Sequence, residues 1–534
     1  MPSVAPQEFS KPDASDGERT SSLRAGLLAG AHTGPDWDFQ AFEQFLRDDR
    51  GALLAWFGLE ALEDFRKFKD NRLGLALRGR IDRDLAQIDI MIARQIDAIL
   101  HHPRFLLLEG SWRGLLWLVS SCDPAEDILI RIFSMKWQEL ERDFGRALEF
   151  DQSAFFKLVY EGEFGHAGGQ PFGLLVVDHE IAHQPPRRSA FDSMAPVDDV
   201  AVLRQLAAVA AAAFVPTVLS AAPRLLGVEA FSELSLAQDM TTVLDDEDHR
   251  RWRGLVAQED SRFLCLTLPH LRARPRWARD NNRLRHEEYA PDATDICWHT
   301  AGYAFARNVL RAQRTYRWPA DVRGVTPGRQ TGSFVADTVK DPFRFGARTR
   351  IARAPTELGF TDRQCQALIE TGFMPLNTLP FGGAAFASTR SLQARPTAPR
   401  QPEPGHANRR ISADIVSLLC VCRFAHHIKM LGRDMIGRLP TPGEIERELQ
   451  DWLGRYTNAS SLSSGESRAR YPLLSSRVSV HAREGQPGHY GCVIHLQPHY
   501  QLDDISTTFR LVTNLASPDR AGGSTNHSSL EPTR

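Results

Sequence analysis

At 534 residues, the chain is too long for one ordinary hydrophobic core, and domains of roughly 150 residues imply about two to four units. Its 64 Lys+Arg against 66 Asp+Glu give a formal net charge of -2, so the molecule exerts no global pull on nucleic acid. Any charged partner has to be met by local patches. The seven cysteines, Cys122, Cys265, Cys297, Cys365, Cys420, Cys422 and Cys492, include no C-x-x-C pair, which fits a reduced, cytoplasmic compartment.

Residues 1–36 are rich in Ser, Gly, Pro and Asp with few large apolar side chains. Such a composition does not offset the entropy of ordering, so this end is expected to be disordered in the lone subunit. It lacks a basic-then-apolar leader, which predicts no export through the secretory route. From Trp37 to Leu77, the apolar positions Phe42, Phe45, Leu46, Leu53, Leu54, Trp56, Phe57, Leu62 and Phe65 predict two short helical pieces parted near Gly51 and Gly58. Ile81, Leu85, Ile88, Ile92, Ile96, Ile99 and Leu100 then recur at helical spacing, predicting an amphipathic helix stopped before Pro103. Residues 37–100 therefore read as an N-terminal helical arm.

Residues 101–350 alternate apolar runs with Ala-rich stretches, as in a central α/β region. Phe172–Val177 and Phe263–Leu268 read as buried strands, and Val202–Ala213 has helical composition. The most apolar stretch, Leu206–Ala222, is rich in alanine, contains Pro216 and falls short of the ~20 strongly apolar residues a membrane span needs. It reads as a buried helix, and no membrane insertion is expected. Residues 272–292, rich in arginine, and 390–410, with four prolines, read as long surface loops.

Residues 351–515 read as a second, C-terminal α/β domain. Ile411, Ile415, Leu418, Leu419, Cys422, Ala425 and Ile428 mark a helix. Arg477–His481, Tyr490–Gln497 and Ile505–Val512 are strand-like, the first two joined as a hairpin across Glu484–Gly488. The tail, 516–534, is again disordered in composition. The fold class is thus mixed α/β with several domains.

Four enzyme-like or ligand-like patterns need an answer. His179-Glu180-Ile181-Ala182-His183 matches H-E-x-x-H, which on a helix puts two zinc-binding imidazoles one turn apart with a glutamate to activate water. Here a strand-like run leads into it and Pro185-Pro186 follows at once, leaving room for barely one turn. A strand end with surface His and Glu is the plainer reading, and a zinc-dependent hydrolase is kept as a rival. Gly165, Gly168, Gly169 and Gly173 precede a strand, the reverse of a dinucleotide fingerprint, and Gly-Lys never occurs, so no Walker A loop exists. Cys420, Cys422, His426 and His427 resemble a metal cluster until placed on a helix, where only Cys422 and His426 share a face; core cysteines beside boundary histidines are expected. The arginines at 272, 274, 276, 279, 283 and 285 surround Trp277, but Pro275, Asp280 and Glu287-Glu288 interrupt them. A solvated loop or a patch for an acidic protein is favoured over nucleic-acid contact. No catalytic residue, cofactor site or metal site is therefore assigned.

What remains is a structural signal. C-terminal strands flanked by mobile ends leave unpaired backbone groups at a sheet edge, and such edges invite a strand from a neighbour. A polymerising subunit has this layout.

Several blocks carry a resemblance. Ile96–Leu118 (IDAILHHPRFLLLEGSWRGLLWL), Phe164–Val177 (FGHAGGQPFGLLVV), Ala221–Leu234, Glu259–Pro269, Trp298–Arg307 (WHTAGYAFAR), Ala354–Leu376, Arg423–Gly437 and Ala469–Leu511 occur in an order similar to the large contractile-sheath subunit of type VI secretion systems, the TssC or VipB family. The resemblance spans roughly residues 80 to 515, and residues 37–80, 272–292 and 390–410 depart from it. It implies a structural protein without catalysis that pairs with a small sheath subunit, TssB or VipA. The pairs would stack helically, with other copies of this chain, around an inner Hcp tube above a baseplate. A separate AAA+ ATPase, ClpV, would recycle the contracted sheath. It further implies that C-terminal strands join arms of neighbouring subunits in a shared sheet. The candidates are Val478, Val480, Cys492, Ile494, Leu496, Ile505, Thr507, Phe509 and Leu511, with the arm before residue 80 as a possible donor. A scaffold that binds but never polymerises is the other rival.

Overall fold

Pro103, expected to stop a helix, stops one and starts the next. Helix α1 (Asn71–Leu100) is longer than its apolar pattern, and α2 (Pro103–Val119) begins with Pro103 in its first turn. A proline there gives up an N–H that would have no partner anyway, and the His102 side chain accepts from the Arg104 amide at 3.3 Å. The structure is a computed structural model that describes residue 51, residues 56–57 and the chain from 71 to 532, apart from 124, 166–167, 185–196, 237–240, 279–285, 327, 346–348, 381, 395–412, 437–440, 461–463, 483–489, 500–508 and 516–529. The helical pieces expected over 37–77 therefore lie mostly outside the described residues. Two compact units emerge: Met1–Leu100 with Trp277–Tyr289, and His101–Arg276 with Ala290–Arg534. In the first, Trp56 donates to the buried Asp84 of α1 at 3.1 Å.

The second unit holds α3 (Trp137–Arg146), α4 (Asp199–Ala213), α5 (Arg250–Val256), α6 (Ala301–Tyr316), α7 (Asp362–Glu370), α8 (Ile415–Ile436), α9 (Pro442–Gly454) and α10 (Gly465–Arg470). A six-stranded sheet runs through it, built from β1 (Leu175–Ile181), β2 (Thr217–Ala221), β3 (Leu264–Leu268), β4 (Phe334–Val335), β5 (Phe373–Thr378) and β6 (Ala384–Phe386). The order is β1-β2-β3-β5-β6-β4. The first four strands are parallel, and β6 is antiparallel to both β5 and β4.

Successive residues of these strands feed opposite cores, as a period of two requires. Val218, Cys265, Met374 and Leu376 face a core shared with α6 and α8. Leu219, Leu264, Leu266 and Phe373 face one shared with α4, Trp252 of α5 and Leu368 of α7. A parallel sheet covered on both faces accounts for the continuous apolar run LCLTL in β3.

The single buried helix expected over Leu206–Ala222 is corrected. Helix α4 ends at Ala213, Phe214 takes the left-handed conformation (φ 54°), and Thr217–Ala221 is strand β2. Pro216 and the left-handed cap turn the chain, and the β-branched Thr217 and Val218 begin the strand. Two other expectations are also revised. Strand β1 runs through His179 and Glu180 to Ile181 instead of ending near Asp178. In the Arg-rich segment, Arg272 and Arg274 are buried, not solvated: Arg272 pairs with Asp341 at 3.2 Å and lies over the Trp298 ring, and Arg274 pairs with Glu109 at 2.8 Å. Carboxylates from distant parts of the chain make burial of those guanidinium groups tolerable.

Helix α8 is the one described helix long and apolar enough to cross a membrane by length and composition, over Ile415–Arg433, and two thirds of that stretch is buried inside the protein. It is a core helix, packed against α6 and the sheet through Leu418, Val421, Phe424 and Ile428. Beyond it, β7 (Leu473–Ala482), β8 (Tyr490–Pro498), β9 (Phe509–Leu515) and β10 (Leu530–Pro532) form a second, all-antiparallel sheet in that order. The tail expected to lack structure thus contributes strand β10.

Candidate assembly surface

The C-terminal sheet grows from a long hairpin. β7 and β8 pair from Ser475↔Gln497 to Ala482↔Tyr490, as their alternating sequences predict; the connection at 483–489 lies outside the described residues. One face of the hairpin is apolar. Val478, Cys492, Ile494 and Leu496 are buried, with Val480 packed at their margin, beneath Ile445, Leu449 and Leu453 of α9. Burial pushes the Cys492 thiol up to about 12, so it stays protonated and unreactive. These candidate side chains occupy the chain's own core, and what they leave for a neighbour is backbone.

The backbone edges of the sheet differ. On the outer edge of β7, Gln450 of α9 acts as a substitute strand: its amide nitrogen donates to the Ser476 carbonyl at 3.2 Å, and its amide oxygen accepts from the Val478 amide at 3.0 Å. Glu446, one turn earlier, accepts from the Val480 amide at 3.0 Å. Helix α9 is itself fixed by a Thr441/Glu444 capping box and by Pro442 in its first turn. The sequence signal for this guard was the i, i+4 pair Glu446/Gln450 beside the apolar Ile445, Leu449 and Leu453, and the strand pattern alone did not point to it.

On the other side, β9 pairs with β8 in the register Leu496↔Phe509 to Tyr490↔Leu515. The three residues of β10 then pair only with Phe509, Arg510 and Leu511. Among the described residues no strand lies beyond Val512–Leu515. Phe509 and Leu511 are thus brought beside the hairpin, and Ile505 and Thr507 lie outside the described residues.

The H-E-x-x-H residues sit elsewhere, and their geometry is not that of a zinc enzyme. His179 and Glu180 lie on β1, where successive side chains diverge, and His183 lies beyond the strand's end. Glu180 pairs with His270 at 2.9 Å, and Glu357 takes the other nitrogen of the same ring at 2.7 Å. Burial opposes charge on His270, but the two carboxylates outweigh it and push its pKa up to about 10. His179 stacks on Trp137 at 4.5 Å and faces Asp199, while His183 stacks on His249 at 3.7 Å. The glutamate that would activate water is held in a fixed ion pair. Among the described residues, no group of three or more His, Cys, Asp or Glu side chains could hold a metal ion.

The Cys/His set on α8 is also structural, with one correction. His426 is not at a boundary; it is fully buried, contacts the Ala213 carbonyl at 3.0 Å and is pushed by burial down to about 3. Cys420 is likewise buried, its thiol raised to about 12 by that burial. Lys429, one turn on, lies over the rings of Tyr160, Phe164 and Phe214 at 4.7 to 5.2 Å, and burial lowers it to about 8. These contacts tie α8 to the helical turns before β1 and to the end of α4.

Comparison with known proteins agrees with this architecture. The EvpB/VC_A0108 tail sheath N-terminal domain matches residues 82–393, and the EvpB/VC_A0108 tail sheath gpW/gp25-like domain matches residues 405–515. The type VI secretion system sheath protein TssC1 of Pseudomonas aeruginosa is 33% identical over 455 residues, covering 83% of this chain and 87% of that protein. The first domain carries the six-stranded sheet and the second the guarded hairpin, so a chain with both, in that order and over most of its length, belongs to the TssC/VipB family of type VI secretion sheath proteins and is a structural subunit of a contractile sheath.

Proposed function

We propose that this chain is the large sheath subunit, that it forms heterodimers with a small subunit of the TssB/VipA kind, and that the pairs stack helically around an inner Hcp tube. The stack works in the cytoplasm on a baseplate, and its contraction drives the tube outward. A ClpV-type AAA+ ATPase then disassembles it. The chain performs no catalysis, inserts in no membrane and needs no nucleic acid.

The observation that carries this reading is the contrast between the two edges of the C-terminal sheet. Among the described residues no strand pairs with Val512–Leu515 beyond the three-residue β10, and an edge of that kind offers backbone groups to a strand from a neighbour. A head-to-tail contact of that kind generates a helical filament when its rotation does not close. The strands carrying Val478, Val480, Cys492, Ile494, Leu496, Ile505, Thr507, Phe509 and Leu511 form the receiving sheet, and an arm from before residue 80 of another subunit is the donor. Subunits tied through such a sheet can exchange their remaining contacts during contraction without separating.

Deleting the chain from Ser506 onward tests it. Co-expressed with the small subunit, the truncated chain is expected to give soluble heterodimers and no tubules by electron microscopy, whereas the full chain gives hollow tubules. Intact tubules from the truncation would remove the role assigned to the sheet. Discrete particles from the full chain would favour a scaffold that never polymerises.

A further inference from the structure

A half-open cleft lies where the loop after α6, the start of α8, helix α10 and the ends of β7 and β8 meet. Small aliphatic and proline side chains form its walls, and Arg323, Asp414, Arg468 and His499 supply its charge. Arg323 belongs to the segment matched by the first sheath domain, and the other three to the segment matched by the second. The enclosed space is that of about three water molecules, the size of one small polyatomic ion.

The charge inside this cleft is unbalanced. Asp414 is the one carboxylate among the lining residues, and it is largely committed: it accepts from the Ser417 hydroxyl at 2.9 Å and the Ser417 amide at 3.3 Å, and from the Thr389 hydroxyl at 3.3 Å. Arg323 approaches it only to 4.0 Å. Arg468 makes no ion pair among the described residues, and its Nε is buried without a hydrogen bond. The same holds for Nε2 of His499, whose backbone amide is fixed to the Pro472 carbonyl at 3.0 Å. Burial holds His499 below its ordinary pKa; the Asn458 carbonyl opposes that shift, and the Arg468 guanidinium adds to it. Buried polar nitrogens are normally hydrogen-bonded, and two of them beside two guanidinium groups favour an acceptor that carries negative charge.

We propose that the cleft binds one inorganic phosphate ion, held by Arg323, Arg468 and His499, with the P–O–H group of the ion donating to Asp414. Donors on three different elements suit an ion with oxygens in three directions. A carboxylate has two oxygens in one plane, and a single guanidinium fork satisfies it. Asp414 gives the site a choice among tetrahedral ions. An ionised carboxylate has roughly four acceptor positions, and Ser417 and Thr389 occupy three of them. Hydrogenphosphate carries a proton for the fourth, whereas sulfate, fully ionised at neutral pH, meets Asp414 with repulsion alone. Because Arg323 and the other groups lie in different family domains, the bound ion ties the two domains together.

The full-length chain, purified with the small sheath subunit in phosphate-free buffer, is titrated with inorganic phosphate by isothermal calorimetry at neutral pH and constant ionic strength. Saturable binding of one phosphate per chain is expected, with sulfate at least tenfold weaker and chloride giving no saturable heat. Arg468→Gln and His499→Gln are each expected to weaken phosphate binding at least tenfold. Arg329→Gln, which removes an exposed pair with Glu466 of the same helix α10, is expected to leave it unchanged. No saturable heat from phosphate with the unmodified complex overturns the proposal, and that measurement needs no variant to fold. Retained affinity in both Arg468→Gln and His499→Gln overturns the site. Sulfate binding as tightly as phosphate overturns the choice made by Asp414, and glycerol phosphate binding more tightly than the free ion overturns inorganic phosphate as the ligand.

Discussion

The two sheets of this protein solve the edge problem in opposite ways. In the six-stranded sheet both faces are buried, and at the β1 edge charged side chains are locked in place: Glu180 of β1 and Glu357 clamp the His270 ring. In the C-terminal sheet one edge is sealed by Gln450 and Glu446, while the other ends in a partly covered β9. The difference separates a sheet packed on both faces from one in which, among the described residues, one edge is guarded by a helix and the other is only partly paired.

The largest effect from disturbing that contrast is expected at the charged lock. His270→Ala leaves two carboxylates facing each other, Glu357 almost wholly buried, and breaking such a pair costs about 3–5 kcal/mol. A fall in denaturation midpoint checks this. The same lock sets a pH window. Because the His270 pKa is raised above the ordinary 6.5 to about 10, its contribution is complete below about 6.5 and is lost as pH rises through 10. Denaturant midpoints of the heterodimer across that range should decline, and His270→Gln should flatten the decline. A flat profile for the unmodified protein would mean that the ring is not held as an imidazolium.

A smaller effect is expected at the guarded edge. Gln450→Ala removes the bonds to Ser476 and Val478, costing about 1 kcal/mol, and opens a second edge. Light scattering should then show a rise in irregular association, with the freed Ser476 carbonyl and Val478 amide as the new template. A variant that stays as monodisperse as the parent would show that the amide guard is dispensable. The smallest effect is expected from metal removal. Dialysis against a chelator should leave the melting temperature unchanged within error, since the glutamate of the HEIAH run is already committed to His270. Stoichiometric zinc in the purified protein, lost together with stability, would restore the hydrolase rival.

Legibility in the sequence followed the range of the interactions. The β7–β8 hairpin, the strand expected over Phe263–Leu268 and found over Leu264–Leu268, the helix over 81–100 and the helix expected from Ile411 and found from Ile415 could be read because their signal is periodic and local. Strand β2 was hidden inside an alanine-rich run because composition does not register a left-handed turn at Phe214. The arginines at 272 and 274 looked solvated because their partners, Asp341 and Glu109, are 69 and 165 residues away in the chain. Of the candidate surface, the strands β7 and β8 were legible, and the guarding of the β7 edge by Gln450 and Glu446 was not. That guard depends on a helix folding back over β7.

The sequence by itself determined the class of this protein: mixed α/β, without a convincing catalytic constellation, and bearing ordered blocks that place it among sheath subunits. Only the tertiary structure decided which groups are still available. Burial removed Val478, Cys492, Ile494 and Leu496 from any side-chain role outside the subunit, and Gln450 closed one edge. Periodicity records which residues are apolar, whereas what covers them is set by contacts between parts of the chain that are far apart in sequence.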